Sequence, residues 1–258
     1  MKDKIIQELK KIEASENIRI LYAVESGSRA WGFPSKDSDY DVRFIYTRPK
    51  DWYLQLQKTK DTLEYPISDQ LDISGWDLDK TLMLLRKCNP SLLEWLHSPI
   101  VYMTEPLFYQ DLLVLSEQAQ NDKSLIYHYL HMAKGNYRDY LQGEQVKIKK
   151  YFYVLRPLLA CLWIEHQKQA PPVRFEHLLE QPQLSTAFLA EVAKLLKKKR
   201  SGEEMAMEPQ IPIIDQFIKE QLEYNTALVS TLQANPFLSQ KEINTFFLNW
   251  YGICKITI

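Results

Sequence analysis

The sequence predicts an α/β domain followed by a helical one, and three observations carry that reading. Strand-like and helix-like patterns alternate through the first hundred residues. From Glu105 onward only long helical patterns follow. Between Asp39 and Tyr46 the residues alternate cleanly, with Tyr40, Val42, Phe44 and Tyr46 on one face and Asp39, Asp41 and Arg43 on the other. The boundary falls near residue 104, giving an α/β domain over residues 1–104 and an all-helical C-terminal domain over residues 105–258.

Residues 3–15 place Ile5, Ile6, Leu9 and Ile12 at helical spacing and open the chain with an amphipathic helix. Asn17 to Glu25, rich in Ile, Tyr and Val, reads as a strand. Ser26-Gly27-Ser28-Arg29-Ala30-Trp31-Gly32-Phe33-Pro34 is a punctuated loop, and the alternating strand from Asp39 follows it. A short helix begins near Pro49. Residues 62–76 are a strand region broken around Pro66, with Leu71-Asp72-Ile73 its clearest stretch. Asp77 is a suitable N-cap for a helix through Leu78, Leu82 and Leu85, and Asn89-Pro90 opens another with proline in its first turn. Residues 98–103 make one more short strand. Helical patterns then cover 105–120, 122–141, 145–168, 184–200, 211–234 and 239–250.

Composition narrows the class. The 258 residues carry 32 Lys+Arg against 33 Asp+Glu, and hydrophobic residues make up 45%, the balance of an ordinary globular protein. Residues 1–104 hold 15 basic and 16 acidic side chains and the rest 17 of each, so neither half is a polybasic nucleic-acid binder. No apolar run approaches the roughly 18 residues of a membrane span, and the N-terminus has no apolar signal core. Cys88, Cys161 and Cys254 suit neither a disulfide framework nor a CxxC metal knuckle. A reducing cytoplasm is the expected home.

Only seven glycines occur, yet Gly27 and Gly32 lie within six positions of each other. Just downstream, Asp39 and Asp41 leave the same face of one strand. Like charges held that close repel, and ordinary stability does not reward them. Hard divalent cations such as Mg²⁺ resolve the conflict by sharing paired carboxylates. Two such ions, about 3.5–4 Å apart, can clamp the attacking and leaving oxygens of a phosphoryl displacement. Gly27-Ser28 offers backbone N–H groups and a hydroxyl to a phosphate. Asp72 stands between Leu71 and Ile73, a lone carboxylate in an apolar strand. The plainer alternatives are acids decorating a turn and a solvated edge, and a strand-end acid paired with a Lys or Arg.

Gly-Ser, then Asp-x-Asp on a strand, then a third Asp on a later strand resembles the DNA polymerase β superfamily of nucleotidyltransferases. The likeness is strongest to the bacterial RNA-repair-pathway DNA polymerase β family. It is carried by ESGSRAWGFPSKDSDYDVRFIY (25–46), LDISGWDL (71–78), NPSLLEWLHSPIVY (89–102) and KKYFYVLRPLLA (149–160). The resemblance implies a nucleotidyltransferase-type mixed sheet with flanking helices. It further implies transfer of a nucleoside monophosphate from an NTP, ATP among them, to an acceptor hydroxyl, with release of pyrophosphate. Asp39, Asp41 and Asp72 would be catalytic and would bind two Mg²⁺ ions. Gly27, Ser28 and Arg29 would hold the phosphates, and Ser38 completes the small-Asp-x-Asp form. An RNA end is one acceptor the resemblance suggests, and no membrane partner is expected. The rival reading is a non-catalytic nucleotide-binding or antitoxin-like module of the same fold, although all three carboxylates are present. A two-metal nuclease would share Asp-x-Asp but has no use for the Gly-Ser loop.

On the 145–168 helix, Lys149, Tyr153 and Arg156 form one stripe with Lys150 beside it. Such a stripe either neutralises a triphosphate or is a solvated face; resemblance at this segment favours nucleotide binding for Lys150 and Arg156. Arg43 is an ion-pair partner or a substrate contact. Lys194 and Lys197 to Arg200 read as a solvated helix end, and Trp31 as a loop anchor. Gly27 to Gly32 is not a P-loop, because Phe33-Pro34 stands where Lys-Ser/Thr is required.

Overall fold

The computed structural model describes residues 1–57, 60–68, 70–202, 207–233 and 235–251. Two compact units emerge, each built from separated stretches. The first comprises Met1–Gly27, Asp39–Ala119 and the segment from Phe237 onward; the second comprises Ser28–Ser38 and Gln120–Pro236. The boundary expected near residue 104 is a single point in the sequence, whereas both units are discontinuous. Packing explains the difference. Phe33 carries the 28–38 loop into the second unit's core. Phe108 and Leu112, and from near the C-terminus Ile243, Phe246 and Trp250, complete the first unit's core.

The first unit is a five-stranded sheet in the order β3-β4-β2-β1-β5. Its strands are β1 (Arg19–Glu25), β2 (Tyr40–Thr47), β3 (Thr62–Glu64), β4 (Leu71–Asp77) and β5 (Val101–Thr104). Only β2 and β4 run parallel; the other neighbours are antiparallel. Alternation along β2 sorts side chains into two cores. Val42, Phe44 and Tyr46 join Ile5, Leu9 and Ile12 of helix α1 (Lys2–Glu16). Ile45 joins the opposite core, with helices α4 (Leu78–Arg86), α5 (Pro90–Leu96), α6 (Pro106–Gln118) and α12 (Gln240–Tyr251). In β1 the register shifts between Ile20 and Tyr22, so Leu21 and Tyr22 both face the helix-rich core despite being adjacent.

Capping follows the sequence. Asp77 accepts from Asp79 N at the start of α4, and Asn89 accepts from Leu92 N at the start of α5. A four-residue helix α3 (Lys50–Tyr53) follows Pro49, and another, α2 (Gly27–Ala30), occupies the loop after β1, where no helix was expected.

The second unit packs α7 (Asp122–Tyr140), α8 (Ile148–Gln167), α10 (Thr186–Ser201) and α11 (Pro212–Thr231), with a short α9 (Phe175–Leu178), around one apolar core. The expected helix over 145–168 starts late. Its first three residues form β6 (Gln145–Lys147), paired with β7 (Met207–Pro209), because Val146 is buried between two exposed neighbours. Cys88 and Cys161 are buried free thiols; Cys254 and Asp69 lie outside the described residues.

Candidate active site

The parallel register of β2 and β4 sets Asp41 directly beside Asp72, both on one face of the sheet. Arg43, two residues further along that face, reaches both. Its Nη2 donates to Asp72 Oδ2 at 2.7 Å and to Asp41 Oδ1 at 3.3 Å. Its Nη1 donates to the carbonyls of Val42 at 3.0 Å and Asp72 at 2.8 Å. Of the alternatives for Arg43, the structure shows the ion pair.

Burial pushes the Asp41 carboxyl above its ordinary range, Arg43 pulls it back, and the charges of Asp72 and Asp39 push it up further. Three acids thus bear on one place: Asp41 and Asp72 half-buried, Asp39 exposed just ahead of β2.

The backbone of Asp41 is gripped at both polar groups. Glu25, the last residue of β1, is fully buried and accepts from Asp41 N at 2.9 Å through Oε1. Its other oxygen accepts from Tyr102 OH. Ser26 N in turn donates to Asp41 O at 2.8 Å. Neither Glu25 nor Tyr102 was singled out from sequence. The available signal was a glutamate closing the apolar run Leu21 to Val24.

Gly27 belongs to the same corner. Its φ is +57°, and a Cβ there would sit 2.0 Å from Asp41 Oδ2. Sequence reasoning asked for glycine so that a phosphate could approach; the structure shows that the Asp41 carboxylate itself already requires it.

The other predicted residues lie in the second unit. Arg29 Nη2 donates to Ser38 O at 2.8 Å, and the Ser38 hydroxyl meets both the N–H and the hydroxyl of Ser35 at 2.9 Å, closing the 28–38 loop. Ser28 O accepts from Phe33 N within that loop. Lys150 Nζ sits over two rings, 3.4 Å from the Tyr140 centroid and 5.0 Å from that of Tyr153. Arg156 is 3% exposed, lies over Trp31 at 4.8 Å and donates to Val173 O. At that burial Arg156 packs under Trp31 rather than standing on a solvated helix face. Trp31 is the loop anchor the sequence suggested, packed on the second unit's core. The basic run is less solvated than expected: Lys199 is buried, and burial together with the nearby Lys149 charge pushes its ammonium down to about 8.

The donor chemistry of Asp39, Asp41 and Asp72 suits a hard divalent cation: carboxylate oxygens only, two of them neighbours in register. Their present arrangement does not. Among the described residues no group of three or more His, Cys, Asp or Glu side chains is set to hold a metal ion. The cationic partner of Asp41 and Asp72 in this conformation is the Arg43 guanidinium.

A profile described as the RNA repair pathway DNA polymerase beta family matches residues 1–249. The uncharacterized protein YcgL of Bacillus subtilis (strain 168) is 50% identical over 249 residues, covering 96% of each chain. A solved nucleotidyltransferase-like protein from Exiguobacterium sibiricum 255-15 is 15% identical over 88% of this chain and 75% of its own, with a TM-score of 0.28.

Proposed function

The chain belongs to the RNA repair pathway DNA polymerase beta family, and we propose that it transfers a nucleoside monophosphate from an NTP to an acceptor hydroxyl. The observation carrying this reading is the in-register pairing of Asp41 with Asp72 on parallel strands, with Gly27 pressed against Asp41. A fold needs no such acid pair for its stability, and hydrogen bonds to the main-chain N and O of Asp41 fix the backbone from which its carboxylate projects.

In the proposal Asp39, Asp41 and Asp72 would hold two Mg²⁺ ions, which would supply positive charge against the phosphates. Asp72 takes the proton of the attacking hydroxyl on a carboxylate oxygen. The acceptor oxygen bonds to the α-phosphorus as the α–β bridging P–O bond breaks, and pyrophosphate leaves. Glu25 and Tyr102 keep Asp41 in place through its N–H. Gly27, Ser28, Arg29 and Lys150 are the proposed phosphate contacts, a role resting on sequence pattern alone for the residues of the second unit. An RNA 3′ end is the proposed acceptor. The cytoplasm is the proposed setting, in keeping with two buried free thiols. No helix among the described residues is long and apolar enough to cross a membrane.

Pyrophosphate release, measured with each NTP, Mg²⁺ and a 3′-hydroxyl RNA oligonucleotide, tests the reading. Release abolished by Asp39→Asn and by Asp41→Asn supports it. NTP binding without release under any of these conditions would favour the non-catalytic module. Lys150→Ala is expected to raise KM about tenfold with little change in kcat, as loss of one charged phosphate contact should.

A further inference from the structure

Arg43 sits where a cation bridging the two neighbouring acids would sit. Its Nη2 is shared between Asp72 Oδ2 and Asp41 Oδ1, so it engages one oxygen of each carboxylate. The same guanidinium is tethered elsewhere: Nη1 donates to the main-chain carbonyls of Val42 and Asp72, bonds that need neither carboxylate. The side chain is only 18% exposed, against 27% and 30% for Asp41 and Asp72, so the contact is shielded from bulk water. A lone pair that accepts an N–H cannot at the same time coordinate a metal, and two cations at one acid pair repel.

We propose that Arg43 is a built-in counter-cation of the Asp41–Asp72 pair, one that competes with a divalent metal for their carboxylate oxygens. This rests on the nucleotidyltransferase reading, which makes the acid pair a metal site. Without nucleotide, Arg43 offsets part of the acids' charge and keeps metal affinity low. The Nη1 bonds keep the guanidinium beside the strands after Nη2 lets go. Arg43 is therefore a positioning residue that sets when the acids become available.

The probe is Mn²⁺ alone, titrated without nucleotide and read by electron paramagnetic resonance, alongside melting temperatures in EDTA and in saturating Mn²⁺. Arg43→Gln is expected to bind Mn²⁺ about tenfold more tightly than wild type, the ratio expected from losing one competing charge-assisted hydrogen bond. It should melt lower than wild type in EDTA and close to it in Mn²⁺. Arg43→Lys, which keeps the charge but not the two-pronged contact, should fall between, and it carries the comparison if Arg43→Gln fails to fold. Tightening should vanish when Asp41→Asn is added. Affinity unchanged or weakened in Arg43→Gln, with a melting deficit that persists in Mn²⁺, overturns the inference while leaving the metal site standing. If no Mn²⁺ binding depends on Asp41 or Asp72, the inference and the metal reading fall together.

Discussion

Strands β2 and β4 run side by side from Asp41 against Asp72 at one end to Tyr46 against Asp77 at the other, and each end sets an arginine against an aspartate. The Asp72 end is half-open, its two half-buried acids set against a guanidinium less exposed than either of them. The Asp77 end is closed. Asp77 is fully buried and its Oδ1 accepts from Tyr53 OH at 2.8 Å and from Asp79 N at 3.1 Å. Arg48 Nε stands 3.9 Å from the other oxygen, beyond hydrogen-bond reach. The same residue pair, five positions apart along one strand, thus serves the proposed active site and a helix cap. Accessibility and the number of acids decide which, since Asp72 has Asp41 beside it and Asp77 has a tyrosine.

The contrast breaks most visibly at Asp72. Asp72→Ala is expected to lower turnover by about three orders of magnitude or more while calorimetry still records Mg²⁺–NTP binding. Loss of binding in proportion to activity would make Asp72 as structural as Asp77. The next largest effect is at the closed end. Asp77→Ala should cost about 3 kcal/mol in urea unfolding, since it removes a helix cap and strands buried partners, with specific activity of the folded fraction retained. An activity loss there would erase the distinction.

Smaller again is a pH signature. Burial, with the Asp79 charge adding, pushes the Asp77 carboxyl up to about 7. The folded protein therefore holds a proton that the unfolded chain releases near pH 4. The stability this supplies is complete below about pH 4 and is lost as pH rises through about 7. Asp77→Asn keeps the acceptor oxygen and cannot titrate, so urea midpoints across pH 5 to 8 should slope less than in wild type. An unchanged slope would assign the pH dependence to another group. The smallest expected change is Tyr53→Phe, about 1 kcal/mol from one buried hydrogen bond, with pyrophosphate release unaffected.

Much of the first unit was legible because its signals are local. Alternation from Asp39 to Tyr46 gave β2, the Asp77 and Asn89 caps gave two helix starts, and the two-residue spacing gave the shared face of Asp39, Asp41 and Arg43. Asp72 was legible as an acid in an apolar strand. Its pairing with Asp41 came from the family resemblance and not from any local pattern, because parallel register across about thirty residues of chain leaves no local trace. Glu25 escaped notice for a related reason: its function is to accept one backbone N–H from another strand. α12 reads as a helix from its periodicity, but nothing in Ile243, Phe246 or Trp250 says which core they enter. Arg156 looked like a surface cation on a stripe, and only packing against Trp31 revealed it as buried.

The return of α12 to the first unit bears on how the protein is made. On the ribosome, β1 to α6 emerge before α12, so Phe108 lacks the Phe246 and Trp250 side chains that pack on it until α12 has been made. At about 5–20 residues per second the intervening stretch takes on the order of ten seconds to synthesise. During that interval the nascent first unit presents a sticky apolar flank, a natural handle for chaperones. A messenger truncated before residue 240 would yield a polypeptide with Asp39, Asp41 and Asp72 in place and an unfinished core beneath them.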